Sequence, residues 1–296
     1  MINKVFDRQK NTCADETVNG GALSFLYGNA FGRCVLKVLY SRFISRLAGR
    51  YMSGGISRRR IAPFIAENSI DMTQYIPREY SSFNDFFTRE IDMKNRPLSQ
   101  ENSLLVSPAD SRLSVFPIDG ETCFSIKNGV YTVAELIGDN ELARQYEGGM
   151  CLVFRLCVDD YHRYAFFDSG RLIKSWPIKG KLHTVNPIAF KRYRVFCENQ
   201  RVVSLLETDS FGTAVQIEVG ALMVGKIVNH DVTEFVRGQE KGMFKFGAST
   251  VVVLLKAGAA ELDSDILQLS QDGHEIKIQL FETIGKKGKG GTIDGV

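Results

Sequence analysis

Several common signatures are missing from the sequence, and each absence excludes a class of protein. The six cysteines are scattered and form no C-x-x-C pair, so neither structural disulfides nor a zinc site is expected, and reduced thiols in a cytosolic compartment fit the spacing. No run of about 18 apolar residues is free of charge, which argues against a membrane-spanning helix. Residues 1–8 lack the apolar core of a signal peptide.

Net charge is also small, at +3 over 296 residues, which is too little to predict a nucleic-acid partner. A hydrophobic content of 44% with 24% charged residues is typical of a globular protein. The length suits one large domain, or one domain with an appendage.

Short β-branched segments dominate the chain after Cys151, and Gly, Asn or Asp separates them. Many short strands with such punctuation predict an antiparallel barrel or sandwich. Helical patterns are concentrated before this part of the chain. We therefore predict an α+β fold with a mainly antiparallel β barrel or sandwich core and with N-terminal and peripheral helices.

The N-terminal region combines apolar helical faces with basic residues. Residues 1 to about 20 are polar and predict a loose leader, whereas residues 23–38 show one apolar helical face. Arg42, Arg46, Arg50 and the run Arg58–Arg60 follow this face. Such helices can anchor a protein at an anionic lipid surface, or they can pack on the core, and both can hold at once.

The segment Gly247–Thr250 is the first candidate site. It consists of small residues between a strand with alternating phenylalanines and the apolar run Val251–Leu255. The backbone can bend sharply at such a segment, and other groups can approach it closely. A hydroxyl held there, that of Ser249, could attack an adjacent carbonyl, although a lone G-x-S-T is more often an ordinary turn.

Three further residues could act with this serine. His162, within D-Y-H-R, can take a proton near neutral pH. Asp110 follows a predicted strand within V-S-P-A-D-S, and His183 lies within L-H-T-V-N-P. Taken singly, an aspartate at a turn is usually a turn former, and a histidine is usually structural.

Together these strings resemble the motifs of the bacterial-type, pyruvoyl-dependent phosphatidylserine decarboxylase proenzyme family. The string G-M-F-K-F-G-A-S-T-V-V is similar to the family's G-x-F-x-F-G-G-S-T-V-V, with Ala248 where glycine is common. V-S-P-A-D-S is similar to the family's S-P-x-D-G, with Ser111 in place of glycine. The motifs occur in family order from about Phe83 to Phe281.

The resemblance implies that the chain cuts itself between Ala248 and Ser249, into residues 1–248 (the β chain) and 249–296 (the α chain). Ser249 would become a pyruvoyl group, a covalent pyruvate cofactor that forms a Schiff base with phosphatidylserine and yields phosphatidylethanolamine. Asp110, His162 and Ser249 would form the self-processing triad. We find no sequence motif for another cofactor and expect no metal site.

One position departs from the family pattern in a way that affects these roles. The family often has a second histidine three residues after His162, and this chain has Ala165 there. Either His162 performs both histidine functions, or His183 supplies the second imidazole. We assign His162 to the triad and predict His183 as the second histidine of the pocket.

The resemblance also predicts domains, partners and location. Residues 1–80 are expected to form an N-terminal helical, membrane-associating region, and residues 81–296 a catalytic β-rich domain. The expected partners are phosphatidylserine in the membrane and, for each cleaved chain, the other one; no nucleic acid is expected, and an oligomer is left open. The predicted location is peripheral, at the cytoplasmic face of the cell membrane.

Other functions fit the same residues. The three side chains could form a serine hydrolase that never cleaves itself, or Ala165 and Ala248 could mark an inactive lipid-binding homologue. The same chemistry could also act on another serine-headed lipid. Any of three basic residues (Arg155, Arg163 or Lys181) could bind the lipid phosphate, and the sequence does not choose among them.

Overall fold

The structure is a computed structural model that describes residues 3–16, 25, 42–120, 122–126, 129–185, 189, 193–221, 226–245, 247 and 249–289. The predicted helical face at residues 23–38 lies outside the described residues, apart from Phe25.

Strands make up most of the regular structure in the described chain. They are β1 (Asn3–Asp7), β2 (Thr12–Glu16), β3 (Leu104–Val106), β4 (Ser111–Pro117), β5 (Thr122–Ile126), β6 (Gly129–Thr132), β7 (Met150–Leu156), β8 (Arg163–Ala165), β9 (Gly170–Ile178), β10 (Arg201–Thr208), β11 (Gly212–Val219), β12 (Lys226–Asn229), β13 (Glu234–Phe235), β14 (Glu240–Lys245), β15 (Ser249–Leu255), β16 (Ala260–Leu262), β17 (Glu275–Ile278) and β18 (Thr283–Lys287).

Ten of these strands form one large sheet in the order β13-β9-β10-β11-β15-β7-β4-β17-β1-β2. Neighbouring strands are antiparallel except β1 and β17, which are parallel. β15 lies at the centre, between β11 and β7, and all seven of its residues are buried. Its β-branched sequence fits this place, because each fully buried Val or Leu side chain contributes about 1.5–3 kcal/mol.

A second, small sheet has the order β12-β14-β8. Another three-stranded sheet has the order β16-β18-β3, and β5 pairs with β6 as a hairpin. These are open, packed sheets, so the prediction of an α+β fold with a β core is confirmed, with the sandwich in place of the closed barrel.

Short helices surround the sheets. They are α1 (Arg42–Ser53), α2 (Ile61–Glu67), α3 (Phe83–Phe87), α4 (Val133–Ile137), α5 (Asn140–Arg144), α6 (Val195–Glu198) and α7 (Ser264–Gln271), with 3₁₀ turns at Gly55–Arg60, Met72–Gln74 and Met93–Asn95. Three of them begin at side-chain caps, one of which is Asp139, which accepts hydrogen bonds from two amides of the first turn of α5. Ser82 accepts a hydrogen bond from the Asp85 amide before α3, and Thr132 forms a capping box with Glu135 before α4.

The N-terminal leader is not loose where the structure describes it, and that prediction was wrong. β1 and β2 form a hairpin, and β1 extends the large sheet by pairing with β17. Arg8, in the turn, donates hydrogen bonds to the carboxylates of Asp263 and Asp265. Pairing with a segment roughly 270 positions away holds the hairpin in place, and local composition does not reveal such a contact.

Within the described ranges, every helix is too short or too polar to cross a lipid bilayer.

Candidate active site

Ser249 is the first residue of β15, and its ladder partner on β7 is Leu156. Its side chain is fully buried, and among the described residues its Oγ has no hydrogen-bond partner. Gly247, two residues earlier, has a backbone φ of 130°, a conformation that glycine adopts without strain. A buried hydroxyl without a partner is costly, so it calls for a functional explanation.

The ladder shows which side of the large sheet Ser249 faces. Residues two apart on a strand share a face, so Ser249 lies on the same side as Val251. Val251 is paired with Glu218 of β11, and directly paired residues also share a face. Glu218 bonds to Lys241 and Asn229 of the small sheet. The small sheet therefore packs over the face that carries Ser249.

His162 comes immediately before β8 of that small sheet. Its carbonyl accepts a hydrogen bond of 2.9 Å from the amide of Phe244 on β14. Its ring Nδ1 lies 2.9 Å from the carbonyl oxygen of Asp160. A carbonyl can only accept, so Nδ1 carries the proton and Nε2 presents its lone pair. Within the described structure Nε2 has no hydrogen-bond partner, and the side chain is fully buried.

The surroundings of this ring keep it neutral. Burial lowers the pKa of His162 to about 4, against smaller raising effects that include the Asp160 and Gly247 backbones. The influence of Gly247 places the imidazole near the main chain that leads into Ser249. The Phe87 ring packs against the imidazole at 4.0 Å between centroids. At neutral pH, Nε2 is therefore an unprotonated base in a water-poor site.

The loop that holds His162 is itself fixed by two arginines. Arg112 donates two hydrogen bonds, of 2.6 and 2.8 Å, to the Asp160 carboxylate. Arg89 is fully buried and donates to the carbonyl of Asp159 at 3.1 Å. Sequence reasoning missed both residues. Arg89 lies two residues after the phenylalanine-rich helix α3, and no local pattern links it to the distant His162 loop.

The predicted triad is brought together only in part. The carboxylate of Asp110 accepts hydrogen bonds from Arg96 at 2.8 and 3.1 Å and from the Leu280 amide at 2.6 Å. His162 donates to the Asp160 carbonyl instead. The structure thus orients the histidine through main chain, and the catalytic role of Asp110 stays a prediction.

Position 165 lies beside the turn that carries Asp110. The amide of Ala165 donates to the carbonyl of Pro108 at 2.9 Å. The alanine that replaces the family's second histidine is therefore adjacent to the aspartate motif. Ala248, the other predicted cleavage-site residue, lies outside the described residues.

His183 lies near the same end of β15. The Asn199 amide donates to the carbonyls of His183 and Gly220, at 2.8 and 2.7 Å. Gly220 directly follows Val219, the ladder partner of Thr250. The imidazole Nε2 lies 3.4 Å from Glu198, and burial lowers the pKa of His183 to about 4. The role of His183 as a second histidine stays a prediction.

A β-rich fold with a buried serine and a neutral histidine on one face is equipped for nucleophilic chemistry at that serine. Comparisons with known proteins show which family with such chemistry the chain matches. The family model for phosphatidylserine decarboxylase matches residues 83–286.

Full-length relatives agree with this match. A phosphatidylserine decarboxylase proenzyme 2 from Clostridium acetobutylicum is 48% identical, over 97% of this chain and 99% of the relative. Phosphatidylserine decarboxylase proenzymes from Ruminiclostridium cellulolyticum and Clostridium beijerinckii are 39% and 38% identical, over 95% and 96% of this chain and 97% and 99% of the relatives. The chain belongs to the phosphatidylserine decarboxylase family.

Proposed function

We propose that the chain cuts itself between Ala248 and Ser249 and that the resulting pyruvoyl enzyme decarboxylates phosphatidylserine to phosphatidylethanolamine. One observation carries the proposal: the Ser249 hydroxyl at the start of the central strand, and the Nε2 lone pair of His162 beside the small sheet that packs over it, are both buried without hydrogen-bond partners in the described structure. Family membership supports the substrate.

In the first step, Nε2 of His162 takes the proton from Ser249 Oγ. Oγ then attacks the carbonyl carbon of Ala248, and the amide nitrogen of Ser249 leaves with a proton, so that an ester replaces the peptide bond. Removal of the α-proton of residue 249 eliminates the carboxylate of residue 248 and leaves dehydroalanine. Water converts this residue to a pyruvoyl group and releases ammonia.

Residue 249 suits such a group because its side chain is buried at the start of a rigid central strand. When present, the pyruvoyl group would supply a carbonyl that binds the substrate amine and accepts the electrons left as carbon dioxide departs. His162, which is neutral and shielded from water, would hold or move a proton beside it.

Full burial of Ser249 also distinguishes self-cleavage from the serine hydrolase alternative. An enzyme that attacks an external ester needs an open cleft at its nucleophile. A surface cavity of 1010 Å³ exists, but it lies against β9, β10 and β13, and Asp110, His162 and Ser249 do not line it. An intramolecular attack needs no such opening, whereas binding of phosphatidylserine at residue 249 would require one to form after the chain is cut.

The two products would stay associated because strands of 249–296 are interleaved with those of 1–248. β15 pairs with β11 on one side and with β7 on the other, and β17 pairs with β4 and β1. Cutting the chain before Ser249 leaves these ladders intact, so we propose a stable two-chain enzyme.

Membrane association through residues 1–80 has support from the part of this region that is described. Leu47, Tyr51 and Ile56 are exposed by 56%, 46% and 73%. The basic residues Arg50 and Arg58–Arg60 lie beside them in sequence. Apolar side chains next to cationic ones suit the interface of an anionic membrane, so we propose a peripheral location at its cytoplasmic face.

The intact mass of the purified protein, combined with carbon dioxide release from phosphatidylserine vesicles, tests the proposal. We expect two chains that meet at residue 249, with a pyruvoyl-blocked terminus on the smaller one. Ser249→Ala should remain one chain and be inactive. Ser204→Ala, which alters another buried serine of the large sheet, should process normally.

A single full-length wild-type chain with esterase activity would instead support the hydrolase. An uncut chain that binds vesicles without turnover would support an inactive homologue. A panel of serine-headed lipids then defines the substrate.

A further inference from the structure

Two buried polar side chains on β11 bond to the small sheet. Gln216 and Glu218 are both fully buried, and they share the face of the large sheet that carries Ser249. Gln216 Nε2 donates to the carbonyl of Ala165 on β8 at 3.3 Å. Glu218 accepts hydrogen bonds from Lys241 and Asn229. We call these four side chains, Gln216, Glu218, Asn229 and Lys241, the polar seam.

An irregularity in β14 brings Lys241 into this seam. Glu240 pairs with Ala165 and Gly242 with Tyr164, so Lys241 is the extra residue of a β-bulge. Bulges redirect side chains and are frequent next to active sites. Here the bulged lysine lies 2.8 Å from both carboxylate oxygens of Glu218, with side-chain exposures of 3% and 0%.

Stability alone does not explain this pair. Removing two charges from water costs about as much as their attraction returns, and apolar replacements of similar volume are often neutral or stabilising. Hydrogen bonds between two sheets specify the relative position of the sheets, because they are directional, whereas apolar packing is non-directional and allows the sheets to slide. Hydrogen bonds such as those of the polar seam would in this way fix the register of the small sheet on the large one.

That register matters because the two reacting groups belong to different sheets. Ser249 begins β15 of the large sheet, while His162 leads into β8 of the small sheet. Glu218 is the ladder partner of Val251, so it is a diagonal neighbour of Ser249 at about 7–8 Å between Cα atoms. After cleavage, the covalent link from β14 into β15 no longer joins the two groups.

We propose that Glu218 and Lys241 are positioning residues for the reaction at residue 249, because their ion pair holds the His162 sheet in register on the Ser249 sheet. The inference rests on the function proposed above and adds to it two residues that touch neither the cleaved bond nor the substrate. It predicts a kinetic effect that exceeds the effect on folding.

The test is the double variant Glu218→Leu/Lys241→Met, which removes both charges at similar volume. We expect it to melt close to the wild type. We also expect self-cleavage, timed by the appearance of the two chains, to slow by about 10- to 100-fold, because sub-ångström to 1 Å misplacement has effects of that size. In mature enzyme, kcat should fall by a similar factor while KM stays within about twofold.

A matched control neutralises an ion pair within a single sheet. Arg171→Gln/Glu207→Gln removes the pair between β9 and β10 and should leave cleavage and kcat unchanged. If the main double variant fails to fold, Glu218→Gln/Lys241→Met, which removes both charges and keeps an amide oxygen that can accept from Asn229, should fold and show a smaller slowing of the same steps.

Wild-type cleavage rate and kcat in the folded variants would overturn the inference, as would a rise in KM with unchanged kcat. A wild-type chain that neither cleaves nor decarboxylates is a different result, because it rejects the proposed function itself.

Discussion

Asp110 and His162 are both buried members of the predicted triad, but their surroundings differ. The Asp110 carboxylate receives two hydrogen bonds from Arg96 and one from the Leu280 amide. The His162 ring makes one hydrogen bond, at Nδ1 to the Asp160 carbonyl, and leaves Nε2 without a partner in the described structure. The Asp110 carboxylate is thus hydrogen-bonded within the fold, whereas the Nε2 lone pair of His162 stays available to accept a proton.

This contrast distinguishes a residue that stabilises the folded state from a residue that takes part in the reaction. A carboxylate with its partners in place contributes to the folded state, because loss of one member of a buried ion pair costs about 3–5 kcal/mol. A fixed, neutral imidazole with an open lone pair contributes to proton transfer. The structure therefore predicts different consequences for substitutions at the two positions.

Of the substitutions at these two positions, His162→Gln should slow self-cleavage the most. Glutamine can keep a hydrogen bond to the Asp160 carbonyl, but it cannot take the serine proton. General-base catalysis contributes about 10²- to 10⁴-fold, so self-cleavage should slow by that factor while the melting temperature stays near that of the wild type. Intact mass against time measures the cleavage. Cleavage at the wild-type rate would show that another group is the base.

Asp110→Asn should mainly reduce stability and have a smaller effect on the cleavage rate. We expect it to lower the free energy of unfolding by about 3 kcal/mol, because the buried Arg96 loses its counter-charge. Cleavage by the folded fraction should slow less than in His162→Gln. Urea denaturation and intact mass measure the two effects separately.

Arg96→Met is the control for that variant, since it breaks the same ion pair from the other side. Similar cleavage rates in Asp110→Asn and Arg96→Met would support a structural role. A much slower Asp110→Asn, with its stability preserved, would show that the aspartate acts in the triad despite its contacts in the proenzyme.

Local signals were sufficient to predict much of the fold. The short β-branched segments are strands of packed sheets, and the two strands predicted around Gly247–Thr250 are β14 and β15, although β15 begins at Ser249, two residues earlier than predicted. Ser82 and Thr132 cap the helices that follow them. Each of these features depends on neighbouring residues alone, through strand periodicity or a cap three residues from its partner.

The unpredicted features depend on contacts between distant segments. In V-Q-I-E-V, alternating polar residues usually indicate a strand with a solvent-exposed face, yet Gln216 and Glu218 face a second sheet and are fully buried. The partner of Asp110 was missed for the same reason. The sequence shows which residues are charged, but the partner of each charged residue is known only from the way the helices and strands pack together.

Protonation of His162 should make the stability of the protein depend on pH. Its pKa is about 4 in the folded protein and about 6.5 in an unfolded chain. Between these values the unfolded chain binds more protons, so stability is full above pH 6.5 and falls as the pH drops toward 4. The loss reaches about 3 kcal/mol, and His183 shifts stability in the same direction. Urea midpoints from pH 7 to pH 4.5 should decline less steeply in His162→Gln than in the wild type, whereas Ser204→Ala, which removes a buried side chain that does not titrate, should keep the wild-type slope. Equal slopes in His162→Gln and the wild type would mean that the imidazole is not buried in its neutral form, and the contrast with Asp110 would lose its physical basis.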